Sequence, residues 1–174
     1  MRQNGYVLYY ASEELKRDKK VVLTALQNNG IALRYVPDKL KNDREVVLAA
    51  VRSHGKALEY ASIELRADRE IVLTAIAKTG YALEHASREL KDDIEVVLAA
   101  VRQNGYALQY ASLELKNNKE VVLAAVRQNG YALGYASLEL RDNKTIVLAA
   151  LQNNRYACCY HCCQTTRIII RIYS

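Results

Sequence analysis

A glycine recurs every 25 residues along this chain. It stands at six places with no insertion between them: Gly5, Gly30, Gly55, Gly80, Gly105 and Gly130. Numbered from its glycine as position 1, each repeat follows the pattern G-Y-A-L-x-Y-A-S-x-E-L-K-x-D-K-E-V-V-L-A-A-V-R-Q-N, and positions 4 and 11 are Leu in all six copies. A chain with this periodicity is an array of one supersecondary unit.

Positions 14 to 25 predict the main helix of each repeat. Position 14 carries good N-cap residues, whose side-chain oxygens accept hydrogen bonds from free backbone N–H groups: Asp18, Asp43, Asp68, Asp93, Asn118 and Asn143. The V-V-L-A-A-V run that follows is apolar around most of its circumference, so neighbours must cover it on more than one side. We expect the next glycine to end the helix as a left-handed C′ residue.

Positions 2 to 7 predict a second, shorter helix with Ala and Leu on its inner face. Position 8 is Ser in five repeats and Pro37 in the second. Because proline has no N–H, this position does not make an interior helix bond, and we expect it to start a final turn.

Neither helix is long enough to be stable alone, so the repeats must stack to bury a shared core. The sequence therefore predicts an all-α fold, a right- or left-handed α-solenoid of about six helix–Gly–short helix–turn repeats over residues 1–154. A leucine-rich-repeat horseshoe would need apolar residues alternating along a strand. Glu13, Asp38 and Arg88 at position 9 break that alternation.

The fifth repeat, G-Y-A-L-Q-Y-A-S-L-E-L-K-N-N-K-E-V-V-L-A-A-V-R-Q-N at residues 105–129, resembles the repeat of the domain-of-unknown-function family 4116. The resemblance covers about residues 1–154. It implies a tandem helical array and carries over no activity and no catalytic residue.

The two ends depart from the pattern. Residues 1–4 align with positions 22 to 25, so the array starts in mid-repeat, and we expect the chain to be part of a longer array or to begin at an internal start site. Residues 155–174 form a degenerate Cys- and Ile-rich tail, which three interpretations fit: a shifted reading frame, a divergent cap and a free tail.

The tail holds all four cysteines, so no disulfide framework supports the array, and we expect an intracellular, cytoplasmic protein. No secretory signal or membrane-spanning run is visible, so no membrane partner is expected. Cys159 and Cys162 have C-x-x-C spacing with His161 between them. They are weak zinc candidates because a second ligand pair is missing, and lipid attachment is weaker still, so we predict no metal and no cofactor.

A basic stripe is the main indication of a nucleic-acid partner. Position 12 is always Lys or Arg: Lys16, Lys41, Arg66, Lys91, Lys116 and Arg141. Position 15 is basic in every repeat except that of Ile94: Lys19, Arg44, Arg69, Lys119 and Lys144. Stacking would align these side chains for contact with phosphates. Acids at positions 10 and 14 favour the alternative, in which the cations belong to mixed-charge surface networks.

Positions 5 and 9 vary most between repeats and are where partner-specific contacts are expected. Position 5 supplies the candidate partner face: Tyr9, Arg34, Glu59, Glu84 and Gln109, followed by Gly134. Tyrosines at positions 2 and 6 form either an aromatic recognition face or inter-repeat packing, and packing is favoured.

No nucleophile, base and orienting group stand apart from the repeat pattern, so we predict that the chain is not an enzyme. The leading hypothesis is a protein-interaction or structural scaffold. The alternatives are a nucleic-acid binder that uses the basic stripe and a segment whose parent protein holds the function elsewhere.

Overall fold

The computed structural model of the protein describes residues 7–154, which form two compact units that divide after Ser87. These residues contain α-helices, 3₁₀ helices and turns, and no β-strand lies among them. The all-α repeat fold expected from the sequence is confirmed.

Six ten-residue helices are the main elements of residues 7–154. The N-terminal unit holds α1 (Lys19–Asn28), α2 (Arg44–Ser53) and α3 (Arg69–Lys78), and the C-terminal unit holds α4 (Ile94–Gln103), α5 (Lys119–Gln128) and α6 (Lys144–Asn153). Within each unit, every one of these helices packs against the next along the chain.

Shorter elements connect the ten-residue helices. Positions 1 to 6 form 3₁₀ helices at Gly30–Tyr35, Gly55–Tyr60 and Gly80–His85 in the N-terminal unit, and at Gly105–Tyr110 and Gly130–Tyr135 in the C-terminal unit. Brief helical turns lie at Val7–Tyr10, Glu13–Arg17, Asp38–Lys41 and Leu65–Ala67, then at Leu113–Lys116 and Leu138–Arg141.

The residue at position 14 is the N-cap of each ten-residue helix, as predicted. Asp43 Oδ1 accepts from the N–H groups of Glu45 and Val46 at 3.0 and 3.2 Å. Asn118 Oδ1 accepts from the corresponding two N–H groups at 3.0 and 3.2 Å. Each helix occupies positions 15 to 24, which is within one residue of the predicted span at each end.

The expected left-handed glycine cap is wrong. Each ten-residue helix ends at an extended residue in position 25, as at Asn104 (φ −152°, ψ 112°), and no described glycine has a positive φ. Glycine is needed for close approach instead. A Cβ on Gly30, Gly55 or Gly105 would lie within 3.0 Å of the backbone carbonyl oxygen of Ala50, Ala75 or Ala125, respectively.

The short second helix is present, but it is a 3₁₀ helix rather than an α-helix. Its hydrogen bonds close over three residues, as from Ala107 N–H to Asn104 O at 2.9 Å and from Ala111 N–H to Leu108 O at 3.2 Å. Asn104 also caps it, because its Oδ1 accepts from Tyr106 N–H at 3.0 Å. The predicted inner face is confirmed, since Ala107 and Leu108 are fully buried.

The serine at position 8 joins successive repeats. Ser137 N–H donates to Lys116 O at 2.9 Å, its hydroxyl donates to Asn117 Oδ1 at 2.5 Å, and the same hydroxyl accepts from Leu140 N–H at 3.2 Å. Ser62 makes the same three contacts in the N-terminal unit. Pro37 starts its short helix without a side-chain cap, and it has no N–H to donate to the preceding repeat.

Candidate interaction surfaces

The candidate partner face at position 5 lies on the 3₁₀ helices and is largely exposed. Tyr9, Arg34, Glu59 and Glu84 are exposed, whereas Gln109 is half-buried. Within the N-terminal unit the 3₁₀ helix Gly30–Tyr35 packs on the next one, Gly55–Tyr60. The position 5 side chains of these two helices therefore lie one repeat apart.

Aromatic rings of neighbouring repeats contact each other, at positions 5 and 6 in one pair and at positions 2 and 6 in the other. The ring centroids of Tyr9 and Tyr35 lie 5.2 Å apart, and those of Tyr106 and Tyr135 lie 6.1 Å apart, both pairs edge to face. The guanidinium of Arg34 lies 5.2 Å from the centroid of Tyr35 and 5.9 Å from that of Tyr60. The tyrosines therefore contribute to repeat stacking, and part of the position 5 surface is held against them.

The position 12 cations are half-buried rather than arrayed in solvent. In the first two repeats each pairs with a carboxylate one helical turn earlier. Lys16 Nζ lies 2.9 Å from Glu13 Oε1, and Lys41 Nζ lies 2.9 Å from Asp38 Oδ1. Both acids stand at position 9, the position that varies most in character from repeat to repeat.

Where position 9 is aliphatic, the position 12 cation has no such carboxylate. The Nε atoms of Arg66 and Arg141 are buried and have no hydrogen-bond partner among the described residues. At Lys116, burial lowers the pKa of the ammonium below its ordinary value of 10.5. These three cations carry a desolvation cost that Lys16 and Lys41 offset with an ion pair.

Two position 15 cations of the N-terminal unit, Lys19 and Arg44, are paired across repeats. Lys19 Nζ lies 2.7 Å from Asp43 Oδ2 and 2.9 Å from Glu45 Oε2, and hydrogen bonds to Asp43 and then Glu45 raise the pKa of this lysine. Arg44 makes the equivalent pairs with Asp68, at 3.3 Å, and Glu70. The mixed-charge interpretation therefore describes these two sites well. The acids come from positions 14 and 16, rather than 10 and 14.

Sequence reasoning missed the apolar character of the position 9 surface. The side chains of Ile63, Leu113 and Leu138 are 73%, 84% and 75% exposed. Leu113, the half-buried Lys116 and Arg88 line an open groove of about 690 Å³ in the C-terminal unit. The signal that was available is the exchange of acid for aliphatic residue at position 9, because a core position does not tolerate a carboxylate.

The cysteine and histidine candidates Cys159, His161 and Cys162, with the rest of the tail, lie outside the described residues. Among residues 7–154 no cluster of three or more His, Cys, Asp or Glu side chains is arranged to hold a metal ion. None of the helices in this part of the chain has the length and apolar character needed to cross a bilayer.

One family model matches the chain in four consecutive segments, residues 1–40, 18–66, 68–116 and 118–160, and its description is Domain of unknown function (DUF4116). No curated protein and no solved structure matches the chain.

Proposed function

The chain belongs to the family described as Domain of unknown function (DUF4116), and we propose that it works as a non-enzymatic module that binds another protein through its exposed repeat surface. The observation that carries this proposal is where the repeats differ from one another. Positions 5 and 9 change residue class between copies and are exposed in most of them. Position 4, by contrast, is Leu in all six copies and is buried in each of them.

This distribution is typical of a repeat scaffold used for recognition. Stacked repeats fix the backbone, so surface positions are free to take side chains that suit a partner. Ala82 and Leu83 are fully buried, whereas Glu84, the next residue of the same 3₁₀ helix, is exposed. The same change from buried framework to exposed variable residue occurs at Leu33 and Arg34.

Nucleic-acid binding through the basic stripe is the less favoured alternative. A protein that tracks a phosphate backbone needs several cations that can exchange counterions for phosphates. Lys19 and Arg44 already hold two carboxylates each, and the position 12 side chains are half-buried. A nucleic acid would have to compete with these contacts.

The test is affinity capture with the full tagged chain in a lysate of its source, divided into nuclease-treated and untreated halves. A variant with Arg34→Ala, Glu59→Ala and Glu84→Ala probes position 5, and a variant with Leu113→Glu and Leu138→Glu probes position 9. All five side chains are exposed, so the position 9 variant is expected to keep the wild-type unfolding midpoint. The position 5 variant is expected to lose no more than about 1 kcal/mol of stability, because Arg34→Ala removes the guanidinium from the rings of Tyr35 and Tyr60.

A discrete protein that survives nuclease, binds the purified chain directly and is lost with one of the two variants supports the proposal. Capture that disappears with nuclease overturns it in favour of nucleic acid. A protein captured equally by wild type and both variants would also count against a recognition role for positions 5 and 9.

A further inference from the structure

We propose that the exposed leucines of the C-terminal unit, Leu113 and Leu138, together with the half-buried cations Lys116 and Arg141, bind an extended peptide that supplies acidic and apolar side chains. This inference rests on the proposed protein-binding function and assigns it a site and a class of partner. The four residues are called here the LKLR surface.

The N-terminal unit shows what the LKLR surface lacks. Glu13 and Asp38 occupy position 9 in the first two repeats, and each places a carboxylate oxygen 2.9 Å from the ammonium of the position 12 lysine. At Leu113 and Leu138 that carboxylate is replaced by an exposed aliphatic side chain. A partner that brings a carboxylate to the same place would complete the pair that the first two repeats make internally.

The cations of the LKLR surface are suited to such a ligand. Arg141 Nε is buried with no hydrogen-bond partner in the described part of the chain. Burial also lowers the pKa of Lys116. A carboxylate that reached either cation would offset a desolvation cost already present in the folded protein.

Within residues 7–154, neighbouring carboxylates form no ion pair with Lys116 or Arg141. Glu114 and Glu139 stand at position 10, two residues before the cation, and side chains two apart on a helix do not face each other. Asp92, which also lines the groove, accepts the hydroxyl hydrogen of Ser112. Arg88 and Glu89 also line the groove.

The distance between neighbouring repeats determines which backbone conformation of the peptide fits this surface. The short helices Leu113–Lys116 and Leu138–Arg141 are joined by the hydrogen bond from Ser137 N–H to Lys116 O at 2.9 Å. Packed helices are separated by about 8–10 Å. A polyproline II chain has three residues per turn and rises about 9 Å per turn, so every third side chain falls on the same face at this spacing. We therefore expect acid and leucine to recur every third residue.

The probe is a fluorescein-labelled twelve-residue peptide of four Glu-Leu-Pro repeats, titrated with the full chain and followed by fluorescence anisotropy. Control peptides with Lys-Leu-Pro and Glu-Ser-Pro repeats separate the charge requirement from the apolar requirement. A labelled 20-nucleotide oligothymidylate and vesicles of phosphatidylserine and phosphatidylcholine test the two other classes of occupant.

The decisive variants exchange position 9 between the units. The variant Leu113→Glu with Leu138→Glu reproduces the internal pairs of the first two repeats and is expected to weaken Glu-Leu-Pro binding at least about tenfold, with an unchanged unfolding midpoint. The reverse variant, Glu13→Leu with Asp38→Leu, exposes Lys16 and Lys41. It is expected to add a second binding site, so that the stoichiometry rises from one peptide per chain to two.

The inference is overturned if the Glu-Leu-Pro peptide does not bind, binds no more tightly than either control peptide, or binds the Leu113→Glu, Leu138→Glu variant as it binds wild type. Binding of oligothymidylate or vesicles that depends on these leucines, without peptide binding, also overturns it. If the peptide fails while the lysate partner is still lost with one of the surface variants, this site assignment falls and the proposed protein-binding function stands. If no partner depends on either surface, both fall.

Discussion

Gly105 lies so close to α5 that a Cβ on this residue would be 2.5 Å from the carbonyl oxygen of Ala125. The glycine N–H is used at the same point, because it donates to Gln128 Oε1 at 2.5 Å. The 3₁₀ helix and the ten-residue helix of one repeat are thus joined where their backbones almost touch. Since the same approach occurs at Gly30 and Gly55, the recurring glycine sets the packing distance inside the repeat.

Gly105→Ala is expected to destabilise the chain by about 1–3 kcal/mol, the usual cost of forcing an extra group into a packed site. Gly134 is the matched control. It stands at position 5, is half-buried, and like the other described glycines has no positive φ. Gly134→Ala should therefore be neutral or stabilising by up to about 1 kcal/mol, because it reduces the entropy of the unfolded chain. Urea unfolding of the full chain measures both, and equal effects would contradict the packing role.

The sequence predicts the ten-residue helices well because their signals are local. An N-cap side chain such as Asp43 accepts from N–H groups two and three residues away, and the apolar run follows directly. The role of the glycine was not predictable in the same way. A glycine after a helix fits a left-handed cap and a close approach equally, and the neighbour that decides between them, Ala50 for Gly30, is twenty residues away.

The surface was predicted only in part, for a related reason. Position 5 was identified from its variation, and the structure places most of its side chains in solvent. Leu113 and Leu115 look alike in the sequence, yet the first is 84% exposed and the second is 8% exposed. Only the repeat comparison separates them, because Leu115 stands at a position that never varies, whereas Leu113 stands where Glu13 and Asp38 also occur.

The side chain of Asn153 forms hydrogen bonds with two backbone groups, the N–H of Gly130 and the carbonyl oxygen of Arg127. Its Oδ1 accepts from Gly130 N–H at 2.9 Å, and its Nδ2 donates to Arg127 O at 2.9 Å. Gly130 is buried, so removal of the acceptor leaves its N–H without a partner. Asn153→Ala is therefore expected to lower the free energy of unfolding by about 1–2 kcal/mol.

Two further variants make this prediction specific. Asn153→Gln should retain most of the stability, because Gln128 holds the N–H of Gly105 from the same repeat position. Gln152→Ala, at the exposed neighbouring position, should change stability by no more than about 0.5 kcal/mol. Thermal unfolding of the three variants measures the effects, and an Asn153→Gln as unstable as Asn153→Ala would show that the hydrogen bond is not the cause.

Lys116→Met is expected to raise the free energy of unfolding at pH 7 by less than about 1 kcal/mol, since solvent still screens the half-exposed ammonium. Burial lowers the pKa of Lys116, so the folded chain holds this proton less tightly than the unfolded chain does. The free energy of unfolding of the wild-type chain therefore increases as pH rises through the lowered pKa towards 10.5. The variant has no ammonium at this position and does not show this increase. Lys41→Met, which breaks the pair with Asp38, should not stabilise the chain. Urea titrations at pH 7 and 10 compare them, and a destabilised Lys116→Met would refute the desolvation argument.

Asp68 provides an acid-dependent link between the second and third repeats. Desolvation alone would raise the pKa of Asp68. Three groups outweigh this effect: the N–H of Ile71 at 3.1 Å, the guanidinium of Arg44 at 3.3 Å and the N–H of Glu70. They hold the pKa of this carboxyl below its ordinary value of 3.8. Since the folded-state pKa is lowered, the stability that the carboxylate contributes is complete above the unfolded value. It is lost as pH falls from 3.8 through the lowered pKa.

Asp68→Asn separates the charge of this residue from its capping role. Asn118 and Asn143 cap α5 and α6 through the same two N–H bonds, so the variant keeps the N-cap and loses the ion pair. At pH 7 we expect this variant to be less stable than wild type by no more than about 1 kcal/mol, the contribution of a partly exposed ion pair. Between pH 5 and pH 2 we expect it to lose less stability than wild type, measured by urea unfolding across this range. Asp68→Ala, which loses the N-cap as well, should be less stable than Asp68→Asn by about 1 kcal/mol at pH 7. If wild type and Asp68→Asn lost stability in parallel below pH 5, the carboxylate of Asp68 would not be one of the groups whose protonation unfolds the N-terminal unit.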